Sequence, residues 1–175
     1  LYIDDNTYPA AMYDFVLRQY TNGTKWEHTR DSLYVRYQIE GQDGYDMTSR
    51  ELYCNGCYAA GINFGASMIS YFYGEGNFKN TIRIGCLTGW DADNPTATWG
   101  GLMGFMLGER KVQRLFDQPV SNKFNIHRTR QNFPEAIDSF PNMAHVGIQV
   151  IDSVVIQLLQ GEIDIKNSVW KIPSN

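Results

Sequence analysis

Cysteine is scarce, basic charge is not in excess, and no long apolar run occurs; each absence narrows what the chain can be. Cys54, Cys57 and Cys86 are an odd number and too few to build a disulfide scaffold. Cys54-Asn55-Gly56-Cys57 has the CxxC spacing of zinc and redox sites. It has no second CxxC beside it, and His28, His127 and His145 are scattered, so two packed or partly exposed thiols are the better expectation. A formal net charge of -4 and a pI near 5.3 give no broad positive face, which disfavours general nucleic-acid binding while leaving room for a local phosphate pocket. No run approaches the roughly 18 apolar residues of a membrane span, so no membrane partner is expected, and the first residues lack the basic-then-apolar order of a signal peptide. The expectation is a soluble chain, cytoplasmic or secreted. No repeat, linker or low-complexity stretch divides the 175 residues, and a 43% hydrophobic content supplies a core for one domain or part of a larger one.

What is present reads mainly as helix. Pro9 suits a first turn, and Met12, Phe15, Val16 and Tyr20 recur at helical spacing until Asn22-Gly23, which predicts a helix over 8–21. Leu33, Val35, Tyr37 and Ile39 alternate, predicting a short strand within 32–40. Residues 56–73 carry Ala59, Ala60, Ile62, Phe64, Met68, Ile69 and Phe72 on a helical period, closed by Gly74-Glu75-Gly76. Asn77 is a cap for a helix over 78–88. Pro95 opens another over 95–107, with Trp99, Leu102, Met103, Phe105, Met106 and Leu107. Residues 109–134 read as polar and irregular, and 143–159 as a second core helix. All three of 56–73, 95–107 and 143–159 are expected to be buried on at least one face.

Between the third and fourth of these helices lies GWDADNPTATWGG, residues 89–101. Asp91 and Asp93 fall at a helix start, where unpaired N–H groups and the dipole favour carboxylates, so a capping role for Asp93 or Asn94 and a turn closed by Asp91 are one reading. The other is a hard-cation site, because Mg²⁺ takes oxygen ligands and two aspartates two apart converge where the backbone turns. Pro95 and Thr96 exclude an EF-hand loop. Gly100, Gly101, Gly104 and Gly108 are followed by no Gly-Lys-Ser/Thr, which excludes a Walker loop and leaves close helix packing as their expected use. Asn22-Gly23-Thr24 is a glycosylation sequon, whereas Asn94-Pro95-Thr96 is disqualified by its proline.

Residues 55–108, NGCYAAGINFGASMISYFYGEGNFKNTIRIGCLTGWDADNPTATWGGLMGFMLG, resemble the C-terminal signature of the ADP-ribosylglycohydrolase family. The order is a small-residue apolar helix, a G-x-G-[DN]-F turn, a short helix, then G-[WG]-D-x-D opening a helix that ends near L-G. The closing Val169-Trp170-Lys171-Ile172-Pro173 is similar to the end of some members. The resemblance implies an all-α fold, an orthogonal helical bundle around two Mg²⁺ ions that hold the ribose of an ADP-ribosyl group while its N- or O-glycosidic bond is hydrolysed. Asp91 and Asp93 match the family's C-terminal metal aspartates. Asn94 occupies the next metal position, where Thr, Ser or Cys is more usual. Gly89, Gly100 and Gly101 would leave room for substrate, with Trp90 as the aromatic facing it.

The family's N-terminal Gly-Asp and Thr-Asp-Asp-Thr motifs are not clear in this sequence. Tyr2-Ile3-Asp4-Asp5-Asn6-Thr7 resembles the second but directly precedes the first helix, and an acidic helix lead-in is the better expectation. Full family domains run to nearly twice this length. The whole chain, 1–175, is therefore expected to be the C-terminal part of a single such domain, incomplete by itself, with the N-terminal half of the same protein as its partner and the catalytic residue there. A noncatalytic relative that keeps the fold for ligand binding or structure is the alternative. Tyr53, Tyr58, Tyr71, Tyr73 and Trp99 could stack on a base or sugar, but aromatics at helical spacing are more often core. His28 with Glu27 and Asp31 reads as a solvated face, and Arg128 and Arg130, a conceivable diphosphate clamp, read as surface.

Overall fold

A computed structural model describes residues 3–46, 56–126 and 136–174. Helix dominates, with two short antiparallel hairpins, and the chain divides into two compact units, Leu1–Gln118 and Pro119–Asn175. No helix among the described residues is long and apolar enough to cross a membrane.

In the first unit α1 (Tyr8–Thr21) follows extended Thr7 with proline in its first turn, as its sequence predicts, and buries Met12 and Val16. The next segment differs from expectation. Residues 32–40 are not a strand: α2 (Trp26–Leu33) runs straight into a π-helical stretch, Tyr34–Ile39, closed by the Glu40 N–H donating to the Val35 carbonyl at 3.0 Å. The alternation misled because only every second member of it is inside. Thr29, Leu33 and Tyr37, four residues apart, are fully buried, whereas Val35 and Ile39 face solvent. The wider π turn also brings Gln38 inside beside Tyr37.

The centre of this unit is α3 (Ala60–Gly74), which packs against α1, α2, α4 (Phe78–Leu87) and α5 (Asp93–Leu107). It starts four residues later than its periodicity predicts, because Gly56 at φ 78° begins a turn closed by the Ala59 N–H on the Gly56 carbonyl. Close approach rests on three glycines. A methyl group at Gly61 would strike the Tyr45 ring, one at Gly65 would lie 2.6 Å from Leu33 Cδ2 and 2.9 Å from Met12 Sδ, and one at Gly74 would strike Thr81. Met12, Val16, Leu33, Tyr37, Tyr45, Ile62, Ile69 and Ile84 form the core. Each fully buried aliphatic side chain among them contributes about 1.5–3 kcal/mol. The Asn77 cap of α4 is present, its side chain accepting the Asn80 N–H at 3.0 Å.

Toward the C-terminus of this unit the apolar faces are open. In α5 only Pro95 is buried, while Phe105 and Met106 are 90% and 82% exposed, so the expected buried face is absent. A groove of about 470 Å³ runs along Tyr71, Trp99, Leu102, Met103 and Met106. Residues 109–116, expected to be irregular, form α6 (Glu109–Phe116) after Gly108; Val112, Leu115 and Phe116 recur at its helical spacing.

The second unit contains β1 (Lys123–Asn125) paired with β2 (Ile137–Ser139), α7 (Phe140–Gln157), and β3 (Glu162–Asp164) paired with β4 (Val169–Lys171). Ser139 caps α7 by accepting the Asn142 N–H at 3.2 Å, and Pro141 occupies its first turn. The helix exists where the sequence places one, but it is not a core helix. Val155, 2% exposed, is its one buried residue, covered where the Gly161 N–H returns to the Val155 carbonyl at 2.8 Å.

Candidate functional site

The acidic stretch sits on a turn with unusual backbone. Gly89 at φ 87° and Trp90 at φ 52° are consecutive left-handed residues between α4 and α5, and a side chain such as tryptophan adopts that region only when its surroundings hold it there. The hold is visible. The Trp90 ring packs on the core and stacks on Tyr34 with ring centres 6.5 Å apart and planes at 25°. Trp90 thus spends a face on protein, which the expectation of a ligand-facing ring did not foresee.

Asp91 is tied to the core by one side chain that sequence reasoning missed. Asn63, 2% exposed in the first turn of α3, accepts the Asp91 N–H through Oδ1 at 3.2 Å. Its Nδ2 donates to the Cys57 carbonyl at 2.8 Å and to the Ala59 carbonyl at 3.1 Å. A lone amide inside an otherwise apolar helix was the available signal, since a buried amide needs partners. The Asp91 carbonyl then accepts the Asn94 N–H at 2.9 Å, so Asp91 does close a turn.

No side chain caps α5. Ala92 occupies the cap position with helical φ and ψ, and Asp93 and Asn94 lie within the first turn, so the capping role expected for Asp93 or Asn94 is not what they do. Thr96 instead donates its hydroxyl to the Ala92 and Asp93 carbonyls at 2.9 and 3.1 Å. Asp93 and Asn94 are exposed and Asp91 is partly so. The Asp91 carboxyl is raised above its ordinary value, first by a side-chain hydrogen bond with Asp93, then by desolvation and by the Asp93 charge. None of the ion pairs among the described residues involves either aspartate. Two carboxylates thus share one small space at a helix start and make no ion pair among the described residues.

These oxygens are the donor type that Mg²⁺ takes, with water or substrate filling its other positions. The pair fits one edge of a cation site. Among the described residues no group of three or more acidic, histidine or cysteine side chains gathers, so the rest of a two-ion site is not supplied there.

The remaining predicted residues scatter. A methyl group at Gly89 or Gly101 would meet nothing within 4 Å, and one at Gly100 would make ordinary contact with Ile82. Gly89 and Gly101 therefore border open space, and the packing role expected for Gly101, Gly104 and Gly108 has no neighbour to serve among the described residues. Trp99 donates its indole N–H to the Ser67 carbonyl at 2.9 Å and stacks on Tyr71. Tyr73 exchanges a 2.7 Å hydrogen bond with Thr29, and Tyr58 is exposed. Asp31 pairs with Arg30, leaving His28 and Glu27 on the exposed side of α2. Asp4 prepares α1 by accepting the Asn6 N–H at 3.0 Å and the Thr7 hydroxyl at 2.6 Å, the lead-in role expected of it. Cys57 is in a disulfide, not a packed thiol as expected, and Cys86 is free and exposed. Cys54, Tyr53, Arg128 and Arg130 lie outside the described residues.

The chain matches no family model, no curated protein and no solved structure.

Proposed function

We propose that the chain is the C-terminal part of a Mg²⁺-dependent hydrolase that cleaves the glycosidic bond of ADP-ribosyl or related N- or O-glycosidic substrates. The observation that carries this reading is the placement of Asp91 and Asp93: two neighbouring carboxylates in no ion pair among the described residues, pinned through the Asp91 N–H to a buried amide. The α5 N-terminus offsets little of the repulsion between them at this exposed site. A divalent ion offsets more, and Asp91, Asp93 and Asn94 would hold it. When bound, it would polarise a sugar hydroxyl and lower the pKa of a water. The residues of this chain orient that edge: Asn63 fixes Asp91, and Gly89 adds no side chain at the turn.

Each unit by itself leaves an apolar helix face open, α5 in the first and α7 in the second, and the second element of the proposal is that the N-terminal half of the same protein is the partner. The test uses the complete protein. Its melting temperature with and without Mg²⁺, and its release of ADP-ribose from a modified substrate, should both lose their Mg²⁺ dependence in Asp91→Asn and Asp93→Asn, with Asn94→Ala affected less. Both aspartate variants keeping the Mg²⁺-induced shift would remove the metal site and the hydrolase with it. A shift without hydrolysis in the parent protein would move the proposal to a noncatalytic ligand-binding relative.

A further inference from the structure

Neither the core nor the acidic turn uses Asn22-Gly23-Thr24, which forms the exit from α1. The Gly23 N–H donates to the Tyr20 carbonyl and the Thr24 N–H to the Gln19 carbonyl, each at 3.0 Å, with Gly23 left-handed at φ 72°. This is a Schellman stop, in which backbone satisfies backbone. The Asn22 amide and the Thr24 hydroxyl contribute nothing to it, and neither has a side-chain hydrogen bond among the described residues. Asn22 and Gly23 are exposed, and a methyl group at Gly23 would meet nothing within 4 Å. A large substituent on Asn22 would therefore displace water and cost no native contact.

The other Asn-x-Thr, at Asn94, carries Pro95 in its middle position, and that proline is buried in the first turn of α5. One usable Asn-x-Thr acceptor remains among the described residues, on an exposed turn that closes a helix.

We propose that Asn22 carries an asparagine-linked glycan. In the transfer, Asn22 Nδ2 bonds to the anomeric carbon of an oligosaccharide carried on a polyprenyl diphosphate. The bond from that carbon to the diphosphate oxygen breaks, the diphosphate leaves with the electron pair, and one amide proton passes to a base of the transferase. The Thr24 hydroxyl is the recognition group two residues on. The modification is independent of the hydrolase reading, since an inert acidic turn and a glycosylated Asn22 are compatible.

The test begins with the protein isolated from the cells that make it. Its digest is examined by mass spectrometry before and after peptide-N-glycosidase treatment in heavy-oxygen water. The peptide containing position 22 should appear only after treatment, with Asn22 converted to an aspartate that carries the heavy oxygen. In the same cells, Asn22→Gln and Thr24→Ala should each lose the glycosidase-sensitive mobility shift completely, and Thr24→Ser should retain it. Recovery of that peptide with an unmodified asparagine before treatment would overturn the proposal, as would a shift that survives both Asn22→Gln and Thr24→Ala.

Discussion

Helices α3 and α7 carry comparable apolar sequences and meet opposite fates. Nine residues of α3 are buried, and one of α7 is. What separates them is the opportunity for contact. Gly61, Gly65 and Gly74 let Tyr45, Leu33, Met12 and Thr81 come against the α3 backbone, whereas Gly147 of α7 has nothing within 4 Å. Apolar periodicity states that a helix has a face to cover; the α3 glycines admit neighbours that are present, whereas Gly101 and Gly104 of α5 and Gly147 of α7 meet none within 4 Å.

The largest expected effect tests that difference directly. In the isolated 175-residue chain Ile69→Ala in α3 should cost about 2–5 kcal/mol, because it leaves a cavity in the core, while Val150→Ala in α7 should stay within about 0.5 kcal/mol of the parent. Urea unfolding of both variants decides it. A Val150→Ala loss as large as that of Ile69→Ala would mean that α7 is covered in solution.

Glycine substitutions sharpen the comparison by sign. Gly74→Ala should destabilise by about 1–3 kcal/mol, since its new methyl meets the Thr81 backbone Cα at 2.8 Å. Gly147→Ala and Gly101→Ala, in open helical surroundings, should stabilise by about 0.5–1 kcal/mol. Thermal unfolding reads all three. If Gly101→Ala stabilises the fold yet weakens hydrolysis in the complete protein, the open space beside it belongs to a ligand.

The smallest effects are in pH, and the two units should respond in opposite directions. Asp164 in the β3–β4 hairpin is held below its ordinary 3.8, first by the Asn167 amide and then by Lys171, whose Nζ lies 3.1 Å away. Its contribution is present above that ordinary value and is lost as pH falls through the lowered folded one. Asp91, raised by Asp93, holds its proton more tightly folded than unfolded. Its contribution is complete below the ordinary value and is lost as pH rises through the raised one. Carboxyl NMR titration in metal-free buffer should place Asp164 below 3.8 and Asp91 above it; the reverse order would undo both assignments.

Local rules carried α1, the Asn77 cap and the position of α7, because proline, an amide cap and apolar spacing act within a few residues. They failed at 32–40, where Leu33, Val35, Tyr37 and Ile39 satisfy two periods and only packing on α3 chooses between them. The acidic pair was legible as a pair, since Asp91 and Asp93 are close in sequence. Its anchor was not, since Asn63 lies 28 residues upstream and only the fold brings its amide to the Asp91 N–H.

That anchor has a direction. Asn63 presents its oxygen to a donor and its nitrogen to two acceptors, so a half-turn of the amide would oppose like with like at all three contacts. Deamidation would do the same to two of them, setting a carboxylate oxygen against the Cys57 and Ala59 carbonyls. A single chemical lesion in the first turn of α3, buried from the surface and changing no side-chain outline, would thus be felt at the acidic turn as a loosened Asp91.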